Sequence, residues 1–272
     1  MINDSFVKVN GINIFYRDTK SGDQSMLLLH GRWGSGETWT DFINRYQDKY
    51  RIIAPDQRGH GLSSKPEDGY TAEDFAKDAF DLLKYLNCSP TIIVGHSMGG
   101  RVAGYLASLY PQIVKAVAIL DENAEGLGLQ IEAKSSDPND DGLTLTWPTP
   151  YPTYDEALKD LKSRFRRETN VRYFLDSLAE TTGGYDFIFS RKAMALIGRS
   201  YKPWYNQLTQ IMCPVFFVRA VDSWCLSKEV AEKMKSVISN YTYCEIDNSD
   251  HMVYVDNPEQ FYPRFDAFLN KI

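Results

Sequence analysis

Thr91-Ile92-Ile93-Val94-Gly95-His96-Ser97-Met98-Gly99-Gly100 decides how this chain is read. Its first half is a run of β-branched residues, the signature of a short buried strand. Its second half is Gly95-x-Ser97-x-Gly99, and a helix-like run, Arg101 to Tyr110, follows. A serine between glycines, with a strand before and a helix after, is held on a sharp turn with its hydroxyl projecting from the sheet edge. Gly95 and Gly99 are needed because any side chain there would collide as strand and helix close together. The helix N-terminus then aims free N–H groups at the space beside Ser97. Ser97 is therefore the candidate nucleophile.

Outward from this stretch, strands and helices alternate. Residues 5–9 and 12–17 flank Asn10-Gly11, a strong hairpin signal. Met26 to Leu29 reads as a buried strand that runs into the loop His30-Gly31-Arg32-Trp33-Gly34-Ser35-Gly36. Glu37 to Tyr46 reads as a helix and Tyr50 to Ala54 as a strand. Thr71 is the expected N-cap of the next helix, with Asp74 as its capping-box partner. Val114 to Leu120 is a further strand, ending at Asp121. Such alternation predicts an α/β fold with a mostly parallel twisted sheet flanked by helices. From Glu122 to Tyr205 the alternation stops. A polar loop (Ser135 to Gly142), a proline-rich turn (Trp147 to Pro152) and helix-like segments at 154–168, 170–182 and 190–200 suggest an inserted helical cap over 122–205, with the core at 1–121 and 206–272. The core text resumes with a strand at 214–218, a helix at 227–238, a strand at 241–246 and a last helix from Pro258.

Composition narrows the function. A net charge of −6 gives nucleic-acid binding no electrostatic support. No apolar run approaches the ~18 residues that span a bilayer, and Met1-Ile2-Asn3-Asp4 does not read as the start of a signal peptide. The four cysteines, Cys88, Cys213, Cys225 and Cys244, lack metal-type spacing and read as reduced thiols of a cytoplasmic protein. The scattered histidines argue against a zinc site. The expectation is a monomer or homodimer acting on a small molecule, with no metal and no cofactor.

A serine hydroxyl becomes a useful nucleophile when a base takes its proton, and histidine suits that role near neutral pH. Of His30, His60, His96 and His251, the last sits in a polar loop, Asp247 to His251, after the final strand, and is the candidate base. The base needs a carboxylate partner. Two aspartates follow strands on the same sheet edge, Asp121 and Asp222.

His30-Gly31, Asp56-Gln57-Arg58-Gly59-His60-Gly61-Leu62-Ser63, Gly95-His96-Ser97-Met98-Gly99-Gly100 and Asp250-His251 together resemble α/β-hydrolase-fold proteins of the esterase, lactonase and C–C hydrolase group. The resemblance covers 5–121 and 206–272. It implies a Ser97–His251–Asp triad and an oxyanion hole made by the backbone N–H groups of Met98 and Arg32. Members with the acid after the later strand usually read G-x-x-D there. This chain reads Ala220-Val221-Asp222-Ser223, with serine in the acid's place, so Asp121 is favoured and Asp222 is the alternative. The implied reaction is hydrolysis of a small carboxylic ester or lactone, with C–C or amide-type cleavage of a ring-opened compound next. A reading of another class is a small-molecule receptor that keeps the triad but turns over little.

Arg32 is unusual in an oxyanion loop, and its side chain is a candidate carboxylate ligand. Arg32, Trp33, Trp147 and Trp204 are the candidate substrate-binding residues.

Overall fold

The computed structural model describes residues 2–126 and 136–272; Ser135 of the polar loop lies outside them. The chain opens with a hairpin, β1 (Asn3–Val9) and β2 (Ile12–Asp18). The turn residues Asn10 and Gly11 both take positive φ, 49° and 81°. That is the two-residue turn whose twist matches paired strands.

There follow β3 (Gln24–Leu29), α1 (Thr40–Tyr46), β4 (Tyr50–Pro55), α2 (Ala72–Tyr85), β5 (Thr91–His96), α3 (Met98–Leu109) and β6 (Val114–Leu120). α1 is shorter than the expected 37–46 helix because a 3-10 turn, Gly36–Trp39, precedes it. Thr71 caps α2, and the reciprocal bonds with Asp74 are both formed.

The segment between β6 and the next core strand carries α4 (Tyr154–Arg164), α5 (Glu168–Leu175), β7 (Leu178–Thr181), β8 (Gly184–Phe187) and α6 (Arg191–Ser200). Two expectations are corrected here. The 154–168 helix stops at Arg164. The 170–182 helix stops at Leu175, and a small antiparallel hairpin replaces its second half. Gly184, at φ 118°, sits so close to the Tyr151 backbone that no side chain would fit, and Tyr151 bridges to Tyr185. Backbone pairing with a distant strand-like residue overrides local helix preference.

The core then resumes with α7 (Tyr205–Thr209), β9 (Val215–Ala220), α8 (Lys228–Val237), β10 (Tyr241–Ile246), α9 (Val253–Asp256) and α10 (Pro258–Leu269).

Among the described residues the main sheet has the order β1-β2-β4-β3-β5-β6-β9-β10. β1, β2 and β4 pair antiparallel; every pair from β4 to β10 is parallel. The parallel centre is buried on both faces, and its strands read as continuous apolar runs such as Met26 to Leu29 and Val117 to Leu120. α1 and α10 meet in an aromatic cluster of Phe42, Phe261 and Phe265, which reaches Phe216 of β9. The strands β3, β5, β6 and β9 deliver their C-terminal ends to one edge, where such sheets hold their sites. No helix of the described residues is long and apolar enough to cross a membrane.

Candidate active site

β5 ends at His96 and α3 begins at Met98, so Ser97 alone makes the turn. Its backbone sits at φ 53°, ψ −126°, a sparsely populated region for a non-glycine residue. Packing holds it there. The Ser97 N–H donates to the Leu120 carbonyl at 2.9 Å. A Cβ on Gly95 would strike the Gly99 carbonyl, and one on Gly99 would strike Leu29 and His30. Met98 opens α3, so its N–H has no intrahelical acceptor.

Asp121 follows β6 and is fully buried, at φ 50°. Its carboxylate receives three donors. The Ala220 N–H donates to Oδ1 at 2.8 Å; the Ser223 hydroxyl and His251 Nδ1 donate to Oδ2, each at 2.7 Å. Ser223 Oγ also accepts the N–H groups of Cys225 and Leu226, so its own proton is directed to Asp121. Burial raises the Asp121 carboxyl above the usual carboxylate range, against the pull of the Ala220 and Ser223 donors. The three donors oppose that burial and favour the ionised form. Burial also lowers the His251 imidazole below its ordinary value. The resulting arrangement is neutral His251 with its proton on Nδ1 and a lone pair on Nε2.

Asp222 is placed elsewhere. Its side chain is 62% exposed and lies 3.8 Å from Arg167. Of the two aspartates, Asp121 is the one brought to His251.

The His251 loop is held from several sides. Ser249 donates to Asp256 at 2.8 Å, and Arg167 binds both the Asn248 carbonyl and Asp250. His96 Nε2 donates to the His251 carbonyl at 3.1 Å, and Trp224 covers the His251 ring at 4.4 Å between centroids. His96 and Ser223 were visible in the sequence, but only as a filler in the serine motif and as the residue standing where relatives keep the acid. Their contacts had no local signal.

Ser97 and His251 line one cavity of about 360 Å³, together with Arg32, Trp33, His96, Arg166, Tyr173 and Trp224 among others. Arg32 is 5% exposed. Its guanidinium lies 3.9 Å above the Trp33 ring, Nη2 donates to the Asp141 carbonyl at 3.1 Å, and Nη1 has no hydrogen-bond partner among the described residues. The Asp141 carboxylate is occupied by Trp33 Nε1, the Leu143 and Thr144 N–H groups and the Thr144 hydroxyl. Arg164 at the wall is paired with Asp160.

Trp147 and Trp204 are not in this cavity wall, which corrects their expected role. Trp147 packs with Phe165, Phe174 and Phe187. Trp204 is fully buried beside Gly104 of α3, with its indole N–H on the Asn123 carbonyl. The Trp204 ring seats the segment after β6 on the core, while Trp147 packs within that segment.

Comparison with known proteins agrees with this architecture. Residues 24–258 match the family model for the alpha/beta hydrolase fold. The 2-(acetamidomethylene)succinate hydrolase of Mesorhizobium japonicum is 29% identical over 266 residues, covering 93% of this chain and 90% of that protein. A putative esterase/lipase of Haemophilus influenzae is 24% identical over 249 residues, covering 90% and 83%. The crystal structure of an E-2-(acetamidomethylene)succinate hydrolase superposes with a TM-score of 0.88 at 24% identity, covering 99% of this chain and all of that one.

Proposed function

We propose that this chain, which belongs to the α/β-hydrolase fold family and is a hydrolase, is a serine hydrolase of small carbonyl compounds that carry a carboxylate. The observation that carries the reading is the 2.7 Å contact between His251 and Asp121 at the cavity that Ser97 lines. With its Nδ1 proton on Asp121, His251 takes the Ser97 proton at Nε2. Ser97 Oγ then bonds to the substrate carbonyl carbon. The N–H groups of Met98 and Arg32 receive the oxyanion. His251 passes the proton to the leaving group as that bond breaks, leaving an acyl-enzyme. Water, deprotonated by His251, cleaves the acyl-enzyme and restores Ser97. The 122–205 segment acts as the cap that shapes the pocket.

The Arg32 side chain supplies the substrate preference. A buried cation stacked on Trp33, with one nitrogen unpartnered among the described residues, lacks an acceptor that a substrate carboxylate offers. The carboxylic ester or lactone is the first substrate class. Amide-type cleavage is the second reading, favoured by the relative that hydrolyses an acetamido-bearing succinate.

The test is steady-state hydrolysis of p-nitrophenyl acetate against the p-nitrophenyl monoester of succinate, by wild type, Ser97→Ala and Arg32→Gln. Ser97→Ala should abolish turnover of both. Arg32→Gln should raise KM for the carboxylate-bearing ester by roughly tenfold or more, the scale of a lost hydrogen bond to a charged group, and leave the acetate little changed. Turnover that survives Ser97→Ala sinks the mechanism; equal effects of Arg32→Gln on both esters sink the preference.

A further inference from the structure

The cavity wall contains a tyrosine that neither the triad nor the carboxylate reading uses. Tyr173 stands on α5, in the segment after β6, and is 7% exposed. Its hydroxyl donates to the Arg32 carbonyl at 3.1 Å. Its seat is cut from the loop after β3: a Cβ on Gly31 would lie 2.9 Å from the hydroxyl, and one on Gly34 would collide with it. Glycines at both positions leave room for an oxygen that arrives from about 140 residues downstream in the chain.

The preceding peptide is pinned from the opposite side. The Gln57 N–H donates to His30 Nε2 at 3.0 Å, so the His30 proton is on Nδ1, which donates to the Gly31 carbonyl at 2.8 Å. Burial lowers the His30 pKa to about 4 and keeps the ring neutral. In a trans peptide the C=O and the next N–H point in opposite directions. Holding the Gly31 carbonyl therefore restrains the Arg32 N–H, but the peptide plane can still tilt about that single bond. Rotation about the Arg32 backbone would remain open if only that peptide were held. Tyr173 closes it by fixing the following carbonyl, and Trp33 completes the bend at φ 68°.

We propose that Tyr173 is a positioning residue for the oxyanion hole: its hydroxyl, delivered by α5, locks the Arg32 peptide so that the Arg32 N–H stays aimed at the developing charge. The seating of the segment after β6 and the geometry of the oxyanion loop then share one hydrogen bond. This inference rests on the reading of Arg32 N–H as an oxyanion donor.

Tyr173→Phe keeps the ring and removes the hydroxyl alone. Three quantities are compared with wild type: the rate at which a fluorophosphonate probe labels Ser97, kcat and KM for the preferred ester, and the melting temperature. Labelling and kcat are expected to fall together by roughly ten- to a hundredfold, part of the ~10²–10³ that follows loss of a whole donor. KM and melting temperature should change little. Gly34→Ala, whose Cβ would meet both the hydroxyl and the ring carbon that bears it, should reproduce the loss. Unchanged labelling in Tyr173→Phe overturns the inference. So does a raised KM with kcat intact, which would make the hydroxyl a substrate contact. If wild-type Ser97 is not labelled at all, the serine-nucleophile reading fails and this inference falls with it; that result is distinct from a labelled wild type matched by Tyr173→Phe.

Discussion

Replacing Asp121 with asparagine separates the roles of the two aspartates. The asparagine side chain keeps one carbonyl oxygen and gains an NH₂ group. Ala220 N–H is a fixed backbone donor 2.8 Å from Oδ1, so the amide oxygen settles there. The NH₂ then faces His251 Nδ1 and the Ser223 hydroxyl, where Oδ2 had accepted from both. A donor facing Nδ1 moves the His251 proton to Nε2, the nitrogen that must take the Ser97 proton. The base is present but in the wrong tautomer. In the serine-protease triad the same exchange lowers kcat ~10⁴-fold, equivalent to about 5 kcal/mol of transition-state stabilisation. Asp222→Asn changes a side chain that is 62% exposed and makes no contact with His251, so its effect should stay within about twofold. The new NH₂ also faces a Ser223 hydroxyl that already accepts two N–H groups, so Asp121→Asn should melt a few degrees below wild type yet stay folded. The assay is ester hydrolysis at pH 7.5, with melting curves of all three proteins. A loss in Asp222→Asn matching that of Asp121→Asn, or an Asp121→Asn enzyme within tenfold of wild type, refutes the reasoning.

Because burial holds the His251 pKa below its ordinary 6.5, the base stays neutral as pH falls. The acid limb of kcat/KM should therefore lie below pH 6.5; a half-point at or above 6.5 contradicts this. Arg101 and Glu122 form an ion pair at 2.8 Å with both side chains 2% exposed. Glu122→Leu leaves the guanidinium buried without its counter-charge and should cost roughly 3–5 kcal/mol in urea unfolding, whereas Arg101→Met with Glu122→Leu should recover most of it; a double variant no more stable than the single one would show that the pair itself is indispensable.

Local chemistry was legible in the sequence. The elbow at Ser97, the Asn10-Gly11 hairpin, the Thr71 cap and the alternation of apolar strands with amphipathic helices each depend on residues a few places apart, so they can be read in order along the chain. They determined the α/β architecture and the candidates Ser97 and His251, while the hydrolase fold and the oxyanion donors Met98 and Arg32 were what the resemblance implied. Tertiary structure decided what depends on long-range approach. Asp121 and His251 are 130 residues apart, and nothing local to either shows which aspartate reaches the ring. Ser223 looked like a departure from the usual pattern; in the fold its hydroxyl anchors the Asp121 carboxylate. Tyr173 was one aromatic among many in the segment after β6. Only its seat between Gly31 and Gly34 separates it from Trp147 and Trp204, whose rings are packing. The β7–β8 hairpin escaped for the same reason, since it forms against the Tyr151 backbone rather than from its own periodicity. Side-chain type announces what chemistry is available; which groups meet is set by closing the sheet and laying the inserted segment across its edge.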